Sequence, residues 1–353
     1  LPSEDVQAII TGPEGPVAVT ASGAVRFTGQ AWEPLGSATV PRYGLAADGD
    51  AYTLVTLDSA AEKDLIPVRQ VSEGSEAPEA AATEAGLFLR RDDGRYEKTA
   101  VEDGQGRHWA VSDVRGVAVD AEGHLWVATL AGAARRNGGT WEFYTGADGL
   151  PYNDFTCMAA GKDGSVWFGT TRGAIRFKDG VWRYRQGRRW LPNDDVRGIA
   201  VEENGNAWFA TAGGVGCIAL EPMTLAEKAS RYEKEMDLIK RTPFGYTSEV
   251  GLKRPGDKSE ILYSDSDNDG LWTAMYGAGE CFAYGATKDP GAKVRATQAF
   301  EALRFLQKVT QTGDIRPPKG YVARTILPGD GPDPNVGRIE GDIEHREKQD
   351  VLW

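Results

Sequence analysis

Cysteine is scarce in this chain of 353 residues, which contains three: Cys157, Cys217 and Cys281. Three widely spaced cysteines provide neither a disulfide framework nor the paired spacing of a zinc site. Long apolar runs are also missing, because no stretch approaches the roughly 18 apolar residues that a membrane helix needs, and no signal peptide can be recognised. The sequence therefore predicts no membrane segment in this chain.

Positive charge is in deficit as well. The 40 lysines and arginines are outnumbered by 52 aspartates and glutamates, which gives a formal net charge of −12. Binding to a phosphate backbone needs a basic face, so we expect no nucleic-acid partner. The sequence is rich instead in glycine (44) and tryptophan (10), a composition typical of a turn-rich β protein. Its length predicts two domains.

One pattern recurs between residues 113 and 220. Trp126, Trp167 and Trp208 lie 41 residues apart. Each copy begins with an alternating β-branched run, passes through an acidic or amide residue followed by glycine, and continues into a strand that carries the tryptophan. A period near 40 that holds about four short strands indicates a propeller blade, in which the indole fills the wedge between neighbouring blades.

The segment from Leu191 to Thr211, LPNDDVRGIAVEENGNAWFAT, resembles the two-component-regulator propeller repeat. The resemblance covers roughly residues 1–220 and implies an all-β propeller of four-stranded blades. The repeat is known from periplasmic sensor domains of bacterial hybrid histidine kinases and from some carbohydrate-active enzymes. A propeller hosts many activities, so the resemblance alone does not define a function.

About five repeats are predicted in the propeller, residues 1–220. Their expected boundaries are 1–39, 40–111, 112–151, 152–193 and 194–220. The Glu- and Ala-rich segment 58–82 is expected to be either a solvated loop or a lid over one propeller face. The last repeat ends at Leu220 without an outer strand, and the chain opens with Leu1 at the start of a repeat. Either the five blades close unaided, or a leader and further blades precede this sequence, and we favour the second alternative.

A helical pattern replaces the strands from Thr224 onward. Thr224 and Glu227 predict a capping box, and apolar residues then recur at helical spacing. Two more helices are predicted, at about 271–288 and 292–310. Antiparallel helices joined by short turns predict the beginning of an (α/α) toroid, so we interpret residues 224–353 as a helical domain of which a part is present.

An acidic cluster precedes the second predicted helix. Asp265, Asp267 and Asp269 alternate before a glycine and resemble the first half of a calcium loop, which makes Ca²⁺ a candidate cofactor. The twelfth position of such a loop is Tyr276 rather than glutamate, which argues against an EF-hand. Alternatively, an aspartate caps the helix, or the carboxylates and Asn268 lie at the mouth of a helical barrel.

A second resemblance favours the barrel interpretation. The segments 243–246, 266–276 and 282–287 resemble helical-toroid regions attached to propellers in secreted bacterial carbohydrate-active proteins, among them polysaccharide lyases acting on uronic-acid-containing glycans. Lyase chemistry needs a base, a group that neutralises the uronate and an acid for the leaving oxygen, whereas hydrolysis needs two carboxylates. The candidate catalytic residues are Asp267, Asn268, Asp269, Tyr276 and Arg324, with Trp272 and Tyr246 as substrate-binding residues.

Two groups of arginines are further candidates for binding. Arg115 and Arg197 hold equivalent places in inner strands, where they either meet an anionic ligand in the central channel or serve blade packing. A basic run contrasts with the acidic chain and is either a site for an acidic glycan or a solvated outer strand. It comprises Arg183, Arg185, Arg188 and Arg189.

The sequence favours an extracytoplasmic protein, secreted or periplasmic, that acts on complex polysaccharide, with a lyase slightly preferred to a hydrolase. A polysaccharide or oligosaccharide is the expected partner. The alternative is a non-enzymatic periplasmic sensor whose propeller binds an oligosaccharide for a downstream kinase, and a third possibility is a plain interaction module. A sensor should continue after Leu220 into a β-sandwich, a membrane helix and a coiled coil, whereas amphipathic helices follow here.

Overall fold

The structure, a computed structural model, describes residues 5–36, 41–57, 64–72, 77–240, 244–254, 256–263, 268–312 and 316–326. The chain divides into two compact units, Leu1–Glu221 and Pro222–Trp353. The first unit is built of antiparallel β-strands, and the second contains three α-helices within its described residues. None of the described helices is both long enough and apolar enough to cross a membrane.

Three sheets of the first unit have four strands paired in chain order. Blade 1 contains β1 (Val6–Ile10), β2 (Val17–Thr20), β3 (Gly23–Phe27) and β4 (Trp32–Gly36). Blade 3 contains β13 (Gly116–Val119), β14 (Leu125–Thr129), β15 (Gly132–Asn137) and β16 (Thr140–Tyr144). Blade 4 contains β17 (Phe155–Ala160), β18 (Val166–Thr170), β19 (Gly173–Lys178) and β20 (Val181–Arg185). Blade 5 has three strands, β21 (Val196–Val201), β22 (Ala207–Thr211) and β23 (Gly214–Ile218).

Blade 2 departs from the predicted four-stranded pattern. Its six strands close into a small barrel in the order β10-β6-β5-β7-β8-β9. They are β5 (Tyr43–Asp48), β6 (Ala51–Thr56), β7 (Leu65–Val71), β8 (Ala80–Thr83), β9 (Gly86–Arg90) and β10 (Tyr96–Thr99). A short hairpin follows the barrel and consists of β11 (Val101–Glu102) and β12 (His108–Trp109). The prediction of a loop or lid at 58–82 is therefore wrong for residues 65–71 and 80–82, which belong to the strands β7 and β8.

The blades pack side by side through their inner strands. β7 packs on β13, β13 on β17, β17 on β21, and β21 on β1, so the first blade in the chain lies beside the fifth. The repeated tryptophans fill these interfaces as predicted. Trp126 contacts Phe168 of blade 4, Trp167 contacts Phe209 of blade 5, and the ring of Trp208 lies against Trp32 of blade 1.

A Thr-x-x-Gly turn joins the second and third strands of every blade. The threonine hydroxyl donates to the glycine carbonyl three residues later, as Thr170 does to Gly173 at 2.7 Å. The same bond is made in the other four blades, at residues 20/23, 83/86, 129/132 and 211/214. This turn aligns the blades residue by residue, including blade 2, in which Ala80 stands where the other blades have tryptophan or valine.

The second unit begins at the predicted capping box. Thr224 caps α1 (Leu225–Glu235), which continues as a π-helical turn (Met236–Lys240). A short hairpin, β24 (Val250–Leu252) and β25 (Ile261–Tyr263), precedes α2 (Asp269–Thr287) and α3 (Pro290–Val309). Asp289 caps α3, and α2 and α3 pack against each other. Three described helices leave the predicted toroid untested.

Candidate functional site

A bulge interrupts the inner strand of each blade at the same place. In blades 1, 2, 4 and 5 the pairing with the second strand shifts by one residue, and the extra residue lies just before the strand's central pairs. In blade 3 two consecutive residues, Arg115 and Gly116, face Ala128. Bulges of this kind redirect one side chain out of the sheet. The five bulge residues are Gln7, Arg69, Arg115, Thr156 and Arg197.

Four of the five bulge side chains reach the next blade. Arg69 forms an ion pair with Asp113 at 2.5 Å, Arg115 lies 3.9 Å from Asp154, and Arg197 forms an ion pair with Asp5. Thr156 donates a hydrogen bond of 2.6 Å to a backbone carbonyl of blade 5. Because the same contact is repeated from blade to blade, the bulge residues form a continuous polar rim at one end of the inner strands. We call this set, with the aspartates that it contacts, the bulge rim.

The arginines of the bulge rim are already neutralised. Arg115 also pairs with Asp113 of its own blade at 2.9 Å, and Arg197 lies 3.3 Å from Asp195. The hydrogen bond from Arg69 lowers the pKa of Asp113 below its usual 3.8, and that from Arg115 adds to the effect. Each arginine side chain keeps about a third of its surface exposed. The rim therefore offers solvent alternating donors and acceptors rather than a net positive charge.

A side-chain amide ties blade 2 to blade 4 behind the rim. Gln70 follows the bulge residue Arg69, and its amide nitrogen donates to the Met158 carbonyl at 2.5 Å while its amide oxygen accepts from the Met158 N–H at 3.0 Å. It passes Gly116 of blade 3, where a Cβ atom would lie 3.0 Å from the Gln70 oxygen and 2.7 Å from the Met158 side chain. Only glycine leaves room for this link.

The structure places Arg115 and Arg197 at equivalent bulges of the inner strands. Each forms an ion pair with an aspartate of the next blade, which contributes to blade packing, and each keeps part of its side chain exposed at the bulge rim. The sequence pattern does not identify Arg69, their equivalent in blade 2, because that residue lies in the segment 58–82, which is predicted to be a loop or a lid. The Thr-x-x-Gly turn at 83–86 is the pattern that would have placed it.

The acidic cluster before α2 is described in part. Asp265 and Asp267 lie outside the described residues. Asp269 is 3% exposed and accepts hydrogen bonds from Ser248 at 2.9 Å and Thr325 at 2.7 Å. Asn268 occupies the N-cap position of α2 without a side-chain capping bond. The described residues contain no group of three or more potential metal-ligating side chains.

The aromatic candidates of the helical unit are mostly engaged in packing. Tyr246 is fully buried, and its hydroxyl donates to the Ala302 carbonyl at 2.5 Å. Burial raises the pKa of Tyr246. This is the environment of a core residue, which a substrate cannot reach. Trp272 is half-buried with its indole N–H turned inward, and Arg324 is exposed.

Tyr276 belongs to a polar cluster that joins the three helices. Its hydroxyl donates to Glu233 of α1 at 2.6 Å, and Arg295 of α3 lies 3.1 Å from Glu233 and 2.8 Å from Glu280 of α2. Glu280 is 6% exposed. Burial, followed by the hydrogen bond with Glu233, raises the pKa of Glu280. One guanidinium thus serves two carboxylates.

Comparison with known proteins supports propeller-type repeats. Residues 149–172 match the two component regulator propeller family. The extracellular domain of the hybrid two component system BT3049 from B. thetaiotaomicron is 19% identical, with a TM-score of 0.39 over 62% of this chain and 33% of that one. This chain thus spans about a third of its length.

Two further solved structures show the same level of similarity. Streptogramin B lyase is 15% identical with a TM-score of 0.39, over 63% of this chain and 95% of that one. PorZ, a surface component of the type-IX secretion system of Porphyromonas gingivalis, is 15% identical with a TM-score of 0.37, over 75% and 43%. A search of curated proteins found no match. Likeness at this level carries no information about ligand or activity.

Proposed function

We propose that residues 5–218 form the ligand-binding propeller of an extracytoplasmic sensor or interaction protein of the two-component-regulator type, without enzymatic activity of its own. The family match at residues 149–172 supports the class of protein. The observation that carries the binding role is the bulge rim, in which five blades direct a polar side chain to one end of the inner strands.

The chemistry of the rim favours an uncharged, hydroxyl-rich ligand such as an oligosaccharide. Arg69, Arg115 and Arg197 each pair with a carboxylate, so an acidic ligand would have to displace that partner. A sugar hydroxyl can donate to the carboxylate and accept from the guanidinium at the same time. The ion pairs of the bulge rim suit such bidentate contacts. Because a neutral sugar carries no charge, it can bind without displacing the carboxylate partners of the arginines.

The carbohydrate-cleaving interpretation has weaker support. Of its candidate residues, Tyr246 is in the core, Asp269 is buried among hydroxyls and Tyr276 is bonded to Glu233. These side chains lack the open, convergent arrangement that a base and an acid need around a glycosidic bond. The toroid and a calcium-dependent activity stay predictions that depend on residues outside those described.

Calorimetric titration of the intact chain with a panel of neutral and uronic oligosaccharides tests the binding role. We expect binding of a neutral oligosaccharide, reduced about tenfold or more in Arg115→Ala, because a buried or bidentate contact is worth roughly 1.5 to 3 kcal/mol. Arg136→Ala is the matched control, since it breaks an equivalent interblade ion pair, with Glu79, away from the rim. Equal loss in both variants would refute the rim as the site.

The same panel separates the sensor from the enzyme. Incubation of the intact chain with uronic-acid glycans should give neither the ultraviolet absorbance of an unsaturated product nor new reducing ends. Turnover that persists in Arg115→Ala and disappears in Tyr276→Phe would contradict the proposed function and restore the lyase interpretation.

A further inference from the structure

Blade 4 differs from blade 3 by a reversal of charge at one cross-strand position. In blade 3, Arg135 on β15 faces Glu142 on β16, and the two form an ion pair of 2.7 Å. In blade 4, Arg176 on β19 faces Arg183 on β20. Like charges directly opposite each other destabilise a sheet. The position thus holds two cations where its counterpart holds a neutral pair.

The reversal leaves one atom of Arg176 without a partner. Arg135 Nε donates to Glu142 at 3.1 Å. Arg176 Nε is buried and has no partner among the described residues, although the terminal nitrogen of this side chain pairs with Asp163 at 3.0 Å. Arg176 is 8% exposed. Leaving a buried charged donor unsatisfied is costly, so the site is incomplete as it stands.

Arg185 adds a third cation on the same face. Residues 176, 183 and 185 all lie on the side of blade 4 that faces blade 5, since Arg176 lies over the ring of Trp167, which contacts Phe209 of that blade. The Arg185 guanidinium lies 4.4 Å from the Trp190 ring. Burial, followed by the charges of Arg183 and Arg176, lowers the pKa of Arg185.

The same face borders the place of a strand that blade 5 lacks. In blade 3, Tyr144 occupies the position of Arg185, and its ring packs 5.6 Å from Trp182 on the fourth strand of blade 4. No described strand pairs with the outer edge of β23. After Ile218 the chain passes through Pro222 to the cap of α1 instead of turning back as a fourth strand.

The edge of β23 has the groups that strand pairing requires. Thr211 and Gly214 flank a two-residue hairpin turn and form a hydrogen-bonded pair, so the alternate residues Val215 and Cys217 direct their N–H and C=O groups outward. An open edge of this kind accepts an added strand. The three arginines 176, 183 and 185 lie beside this edge, so a strand that pairs with it should carry negative charge.

We propose that an acidic, extended peptide segment of a partner protein adds to the outer edge of β23 as the fourth strand of blade 5 and places carboxylates against Arg183 and Arg185. The extended backbone pairs with the outward N–H and C=O groups of Val215 and Cys217, and its carboxylates supply from blade 5 the negative charge that Glu142 supplies within blade 3. The fourth strand of blade 4, β20, pairs with its neighbour from Val181 to Arg185, which sets the length of the segment at one short strand.

Fluorescence polarisation of a labelled peptide of alternating valine and glutamate, titrated with the intact chain at low salt, tests this proposal. We expect saturable binding that is absent for the same peptide with glutamine in place of glutamate. Arg183→Glu restores the blade 3 arrangement, so it should stabilise the free protein while weakening peptide binding about tenfold or more. Arg172→Ala, which removes an exposed arginine from a turn of the same blade, is the control and should bind as the wild type does.

The contribution of the strand edge is tested separately. Cys217→Pro removes one outward N–H at a position where an edge strand tolerates proline, and it should abolish binding without loss of fold by circular dichroism. Binding that survives Cys217→Pro would overturn strand addition. Arginine-dependent binding of polygalacturonate in place of the peptide would identify a saccharide as the occupant and also refute the proposal. Neither outcome bears on the bulge rim, whose test uses Arg115.

Discussion

At the scale of single residues, the repeated tryptophans differ in whether an acidic side chain accepts a hydrogen bond from the indole N–H. Trp126 donates to Asp120 at 2.8 Å and Trp208 donates to Glu202 at 2.9 Å. In blade 4 the corresponding turn position is Gly161, and the Trp167 N–H has no partner among the described residues. The same fully buried indole is therefore held by packing alone in one blade and by packing plus a hydrogen bond in another.

This difference predicts unequal costs for the same substitution. Trp126→Phe should lower the free energy of unfolding by about 1 kcal/mol more than Trp167→Phe, because it leaves the buried Asp120 carboxylate with one donor fewer. Urea unfolding of the two variants, with unchanged slopes, measures the difference. Equal losses, or a larger loss in Trp167→Phe, would show that the hydrogen bond contributes nothing.

The roles of individual side chains are also the part of the structure that the sequence predicts least well. Spacing marked Arg115 and Arg197 as equivalent, but it could not show that each already has a carboxylate partner on a neighbouring blade. Likewise, the resemblance of residues 243–246 to helical-toroid regions made Tyr246 a candidate for substrate binding, but it could not show that tertiary packing buries Tyr246 against α3. Contacts between residues far apart in the chain decide such roles, and a local pattern does not contain them.

At the scale of elements, the blades were predictable wherever a tryptophan marks the second strand. Blades 3, 4 and 5 follow their repeat closely, and the Thr-x-x-Gly turn explains why the third strand starts where it does. Blade 2 was misread because Ala80 stands at the tryptophan position and an extra hairpin, β5–β6, precedes the inner strand. Its strands could still be found from the turn, but not the closure into a barrel.

The turn glycine of blade 4 gives a prediction at this scale. Gly173 has a φ of 125°, and a Cβ atom there would lie 2.4 Å from the Arg185 carbonyl oxygen on β20. Gly173→Ala should therefore destabilise the protein by about 3 kcal/mol, combining backbone strain with a steric clash. Gly180→Ala, which also has a positive φ but open space around it, should cost about 1 kcal/mol.

Thermal and urea unfolding of the two alanine variants provide the measurement. The ratio matters more than either value, because both substitutions strain the backbone and only one meets the neighbouring strand. Similar losses for Gly173→Ala and Gly180→Ala would mean that β20 moves aside at little cost.

At the scale of the whole molecule, two units with different chemistry share one chain. Eight of the ten tryptophans lie within Leu1–Glu221, whereas all three described α-helices lie within Pro222–Trp353. Tryptophan fluorescence therefore reports mainly on the propeller unit, and helical circular dichroism reports on the other. The two probes can follow separate transitions in the same sample.

The cluster around Glu280 predicts a pH dependence in the helical unit. Its folded pKa is raised above the ordinary 4.5, so the folded state binds the extra proton and this contribution to stability is complete below pH 4.5. It is lost as pH rises through the folded pKa, where Glu280 charges beside Glu233 with Arg295 as their shared cation. We expect the helical transition in urea to move to lower denaturant as pH rises toward neutrality.

Glu280→Gln should flatten that profile, while the tryptophan-reported transition keeps its own pH dependence. Glu301→Gln is the control, because Glu301 is a surface residue of the same unit that pairs with Arg304. A helical transition whose midpoint varies equally with pH in wild type and Glu280→Gln would rule out the cluster as its cause.

The contact between Gln70 and Met158 restricts the residue type much more at position 70 than at position 158. Its carboxamide engages the main chain at position 158 and ignores the side chain there, so any apolar residue that fills the same core volume preserves the contact. Position 70 has no such latitude, because asparagine is one methylene too short and glutamate cannot donate. Position 158 therefore tolerates substitution by other apolar residues, whereas position 70 requires glutamine. The link across blade 3 depends on this one side chain, whose amide donates and accepts as a backbone peptide group does.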